Sequence, residues 1–77
     1  MITKTININS LDKIETFVDI INKFNGRFDL VSGCSIVNAK SIMAIFSLDI
    51  SRPVYLYIYN EESAEHVTKA LEEFEVN

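Results

Sequence analysis

Asn38-Ala39-Lys40-Ser41-Ile42-Met43-Ala44-Ile45-Phe46-Ser47-Leu48 is the stretch on whose reading the fold turns. From Ser41 onward it holds neither Gly nor Pro, and a serine hydroxyl can accept from the free N–H groups of a first helical turn. About two turns of helix opening at Ser41 therefore fit the residues. A buried strand is the competing reading. Upstream, residues 27 to 38 read as a hairpin: Phe28 and Leu30 alternate with Asp29 and Val31, Ser32-Gly33 supplies a turn, and Ile36-Val37 begins a second short strand. Before the hairpin, Leu11, Ile14, Phe17, Val18, Ile21 and Phe24 fall on one helical face, with Ser10 placed to cap the start and Asn25-Gly26 to end the helix in a left-handed turn. At the beginning, Ile6 and Ile8 alternate with Thr5 and Asn7, which predicts a strand running to about Asn9.

Downstream, Pro53 precedes Val54, Leu56 and Ile58, which alternate with Tyr55, Tyr57 and Tyr59. This is the cleanest strand signal in the chain, with one aliphatic side and one aromatic side. Asn60 can cap a last helix whose first turn, Glu61-Glu62, suits the helix dipole and whose stripe is Ala64, Val67, Leu71 and Phe74. With the Ser41 segment taken as helix, the order is strand, helix, strand, strand, short helix, strand, helix. Two β-α-β halves of this kind let the helices cover one face of a single sheet, which predicts an α+β open-faced sandwich.

At 77 residues the chain is expected to form one domain over 1–77, and a domain this small hides only roughly 60% of its unfolded surface. Hydrophobic residues make up 48% of the sequence, enough for one core and too many for disorder. No apolar run approaches the ~18 residues that span a bilayer, and residues 1 to 9 lack the pattern of a secretory signal, so a cytoplasmic protein without a membrane partner is expected. Cys34 is the single cysteine and His66 the single histidine, which predicts no internal disulfide, no metal site and no cofactor. The net charge is −4, with Glu61, Glu62, Glu65, Glu72, Glu73 and Glu75 gathered near the C-terminal end. Without a basic stripe to neutralise phosphates, no nucleic-acid partner is expected.

The Asn38–Leu48 stretch also resembles the segment of HPr, the histidine-containing phosphocarrier of the bacterial sugar phosphotransferase system, that carries its regulatory serine. Lys23-Phe24 and the hairpin after it fall where HPr has its own, so the resemblance covers essentially the whole chain. It implies a four-stranded antiparallel sheet with three helices on one face. The chain departs from the family between the first strand and first helix, where a Gly-x-His-Ala-Arg-Pro type of sequence is replaced by Asn9-Ser10-Leu11-Asp12-Lys13. Counting back from Lys23-Phe24 without a gap places Ser10 at the histidine and Asp12 at the arginine, and no histidine precedes His66. The hairpin turn, Gly33-Cys34-Ser35-Ile36-Val37, reads as one residue longer than in the family.

The resemblance thus implies a divergent, non-enzymatic member without the active-site histidine: a regulatory or adaptor paralogue rather than a carrier. Ser41 matches the serine modified by HPr kinase/phosphorylase, which makes that kinase or a regulator the implied protein partner; read as a residue, Ser41 is also simply a helix cap. The short helix has more apolar residues than one stripe can bury, and by resemblance Ile42, Met43 and Phe46 are its exposed, partner-binding members. A helix sunk deeper in the core is the plainer alternative. The tyrosines could pair with another copy or steady an exposed sheet face, so either a monomer or a weak homodimer is expected. His66 reads as a solvated helix residue, and no redox role is expected of Cys34. A rival function is a protein-interaction or self-association module with no phosphotransferase role.

Overall fold

The computed structural model of the chain describes residues 1–76. In chain order it contains β1 (Ile2–Ile6), α1 (Leu11–Ile21), β2 (Phe28–Ser32), β3 (Ser35–Asn38), α2 (Ile42–Ile45), β4 (Val54–Ile58), α3 (Glu61–Ala70) and a 3-10 turn (Glu72–Phe74). The strands form one antiparallel sheet in the order β1-β4-β2-β3. β4 lies between β1 and β2, with Leu56 opposite Lys4 on one side and Leu30 on the other. The last strand to be made thus interleaves the two β-α-β halves. The fold is the expected α+β open-faced sandwich, with the three helices on one face.

Alternation along β4 sends Val54, Leu56 and Ile58 into the core, where they join Ile6, Phe28 and Leu30 of the neighbouring strands. The helices supply Ile14, Phe17 and Ile21 from α1, Ile45 from α2, and Ala64 and Val67 from α3. Phe17 meets Phe74 edge to face, with ring centroids 6.2 Å apart, which ties α1 to the C-terminal turn. In the β2–β3 hairpin Gly33 alone carries a positive φ, 60°, as a type II′ turn requires.

Element ends differ from expectation, each for a local reason. β1 stops at Ile6 rather than Asn9, because the Asn7 N–H donates to the Phe74 carbonyl and turns the chain out of the sheet; Ile8 is still fully buried. α1 ends at Ile21 rather than Phe24. The Asn22 amide donates to the Val18 carbonyl, and the next bonds, Lys23 to Ile20 and Phe24 to Ile21, tighten to 3-10 spacing. Leu11, at the first helical position, is exposed instead of joining the stripe. The helical reading of the Ser41 segment holds, but α2 is a single α turn continued by the Ser47-to-Ala44 and Leu48-to-Ile45 bonds. The stripe of α3 is buried as expected, yet Leu71 is its C-cap and Phe74 lies in the 3-10 turn. Glu72 and Glu73 at the negative end of the dipole disfavour further α-helix.

Candidate functional site

Two loops that open helices hold the residues singled out in the sequence. Ser10 stands at the N-cap of α1 in extended backbone, and its Oγ accepts from the Lys13 N–H at 3.3 Å. The Lys13 ammonium is held in turn by Asn9 Oδ1 at 3.1 Å. Asp12 is exposed in the first turn, where its charge suits the dipole. The one carboxylate and the one ammonium of this loop therefore support the helix start, and no imidazole is near in sequence. His66 lies exposed in the middle of α3.

Ser41 caps α2, with Oγ accepting from the Ala44 N–H at 3.3 Å and its carbonyl from the Ile45 N–H at 3.1 Å. The residues before it fix its position. Asn38 Oδ1 accepts from the Lys40 N–H at 2.9 Å, and the Asn38 carbonyl accepts from the Ser41 N–H. Lys40 Nζ reaches back to the Phe24 carbonyl at 2.6 Å and lies 5.5 Å from the Phe28 ring centroid, while the Asn22 amide donates to the Lys40 carbonyl. Lys40 and Asn22 thus staple the Ser41 loop to the C-terminal end of α1.

Beyond the cap, Met43 is 76% exposed and Phe46 49% exposed. Ile42, expected beside them, is instead half-buried against the core, because with Ile45 it falls on the side of the turn that faces the sheet. Two neighbouring apolar side chains therefore remain on the surface of α2. The Asp49 carboxyl, in the loop that follows, is held below its ordinary value first by the Ser51 hydroxyl and then by the Ser51 backbone N–H.

One cluster was not anticipated from the sequence. Asp29, on the sheet face away from the helices, is only 5% exposed and accepts from Arg27 Nη2 at 3.1 Å and from Tyr59 Oη at 3.0 Å, with the guanidinium 4.8 Å above the Tyr59 ring. Hydrogen bonding to the carboxylate, then burial, raises the Tyr59 pKa. The signal was available: a carboxylate between two core residues of a strand needs a partner, and Arg27 two positions earlier is on the same side. Tyr55 is exposed and Tyr57 half-buried on that face. Cys34 is exposed at the hairpin tip. Among the described residues no three His, Cys, Asp or Glu side chains converge as metal ligands, and no helix is long and apolar enough to cross a membrane.

No protein-family profile matches the sequence, and no curated protein does. Among solved structures, the crystal structure of HPr-C-His from Thermoanaerobacter tengcongensis superposes on this chain with a TM-score of 0.79 at 31% sequence identity. The match covers 95% of this chain and 89% of that one. Identity at that level over nearly the full length of both, on the same sheet and helices, means that the chain belongs to the HPr family.

Proposed function

We propose that this chain is an HPr-family protein that does not relay phosphate through a histidine and instead acts as a regulatory or adaptor paralogue. The observation that carries the reading is the N-cap of α1, occupied by Ser10, with Asp12 beside it and the only histidine far along the chain in α3. Phosphoryl relay requires a nucleophile active at neutral pH whose phosphorylated form hands the group on readily. An imidazole nitrogen meets both demands, and a serine ester meets neither. Asp12 adds a negative charge where an incoming phosphoryl dianion would approach.

Met43 and Phe46 are the partner-binding residues in this reading, and Ser41 is its regulatory phosphorylation site. A phosphate on Ser41 Oγ would retain acceptor oxygens for the Ala44 N–H that the hydroxyl now serves. Incubation with HPr kinase/phosphorylase and ATP should add one phosphate by intact mass, and Ser41→Ala should abolish it. Incubation with enzyme I and phosphoenolpyruvate should give no acid-labile phosphate. Acid-labile phosphate in the second assay would overturn the loss of carrier chemistry; an unmodified mass in the first would remove Ser41 from the proposal.

A further inference from the structure

Asn25-Gly26 follows the last bonds of α1, and its setting sets it apart from the other asparagines of the described residues. Asn9 Oδ1 holds the Lys13 ammonium, Asn22 Nδ2 donates to the Val18 and Lys40 carbonyls, and Asn38 and Asn60 accept from the Lys40 and Glu62 N–H groups. Asn7 is half-buried with its Oδ1 sealed from solvent, ahead of the fully buried Ile8. Asn25 and Gly26 are both exposed. Among the described residues the Asn25 amide makes no hydrogen bond, and the main-chain bonds of α1 stop at the Phe24 N–H, so the Gly26 N–H has no partner either.

A free side-chain amide followed by a free backbone N–H is the arrangement in which a chain attacks itself. Gly26 has no Cβ to obstruct the approach, and its φ of +109° lies outside both helix and strand. Gly26 N gives up its proton to solvent and bonds to Asn25 Cγ; the Cγ–Nδ2 bond breaks, ammonia leaves, and a cyclic imide closes. Water then adds to one of the two imide carbonyls and reopens the ring. Either way position 25 gains a carboxylate, as aspartate where the main chain keeps its course and as isoaspartate where it runs through the former side chain. Water is the only co-reactant.

The new charge falls at a sensitive point. Asn25 is joined directly to the Phe24 carbonyl that Lys40 Nζ holds at 2.6 Å. A carboxylate accepts from an ammonium about twice as strongly as a neutral carbonyl does. The last turn of α1 carries no basic residue to answer it; Arg27 is engaged by Asp29, and Lys23 stands in solvent. We propose that Asn25-Gly26 is a self-modifying site, converted without an enzyme to aspartate or isoaspartate, and that the carboxylate so formed draws Lys40 off the Phe24 carbonyl and loosens the staple that holds the Ser41 loop to α1. The inference does not depend on whether Ser41 is phosphorylated.

Intact mass and peptide mapping of the full chain, held at physiological temperature in mildly alkaline buffer and sampled over weeks, test the first step. The mass should rise by the difference between –OH and –NH2, the change should map to Asn25, and it should go faster at higher pH because Gly26 N must lose a proton. Asn25→Gln, at an exposed position, should remove it, since the longer side chain closes a ring far more slowly. An unchanged mass, or a change that maps to another asparagine, overturns the site. Asn25→Asp tests the second step. It should lower the melting temperature of the Lys40→Met chain more than that of the natural chain, which alone has the ammonium to pair with the new carboxylate; equal drops overturn the transfer of Lys40. In Asn25→Asp alone the Lys40 ε-CH2 proton resonances, now close to the Phe28 ring, should shift. Resonances that stay in place overturn the transfer too.

Discussion

Gly26 is required twice over. Its φ is +109°, a conformation that costs a residue with a Cβ steric strain, and an added Cβ would lie 3.2 Å from Asn60 Cβ. Asn60 is the N-cap of α3, accepting from the Glu62 N–H at 3.1 Å, so crowding at position 26 pushes on the start of a distant helix. Gly26→Ala should cost about 1–2 kcal/mol and lower the melting temperature by roughly 4–16 °C. Gly33→Ala should cost less, because nothing lies within 4 Å of its Cβ position and strain is the only penalty. Equal losses in the two variants would show that the Asn60 contact is immaterial. Asp29 offers a second test at this scale. Ionising Tyr59 would forfeit the hydrogen bond its hydroxyl donates to the Asp29 carboxylate, the first cause of its raised pKa, ahead of burial and of the repulsion between phenolate and carboxylate. A raised value in the folded state contributes stability that is fully present below about pH 10 and is lost as pH climbs through the folded value. Asp29→Asn should bring the Tyr59 ring titration, followed by NMR, back towards the ordinary phenol range. A titration unmoved by the substitution would rule out Asp29 as the cause.

At the scale of elements, Lys40 joins the α1 end to the α2 start. Lys40→Met keeps an apolar stem over the Phe28 ring but removes the donor to the Phe24 carbonyl. A loss of about 1–2 kcal/mol is expected, together with faster hydrogen exchange at the Ala44 N–H as the Ser41 cap loosens. Faster exchange at Lys13 as well would point to global loosening instead. Such a contact between remote segments leaves no local pattern in the sequence. The periodicity of Ile14, Phe17 and Ile21 and the alternation of Val54, Leu56 and Ile58 are local and were legible, as were the caps at Ser10, Ser41 and Asn60. The ends of β1 and α1 were not, because the Phe74 carbonyl that takes the Asn7 N–H is remote in sequence and the Asn22 side chain competes with the helical pattern. That some side chains of α2 face outward was legible from an excess of apolar residues, and the resemblance implied Met43 and Phe46 among them. The inward turn of Ile42 was not, since it depends on how α2 is seated on the core.

For the whole molecule, the proposed function makes the missing carrier chemistry a matter of two side chains on an otherwise intact frame. Ser10 is exposed, and its extended backbone can hold any L-residue, so Ser10→His would present an imidazole at the α1 start without burying it. Losing the serine cap would cost about 1 kcal/mol, which the core should absorb. Asp12→Arg would exchange a repelling carboxylate for a guanidinium able to bind phosphate oxygens in pairs. With enzyme I and phosphoenolpyruvate, Ser10→His together with Asp12→Arg should take up acid-labile phosphate, and the natural chain should take up none. Ser10→His alone should acquire less, because Asp12 still opposes the dianion. Failure of the doubly substituted, correctly folded chain would mean that these two side chains do not account for the difference and that enzyme I is not received. Divergence would then lie in docking as well as in chemistry.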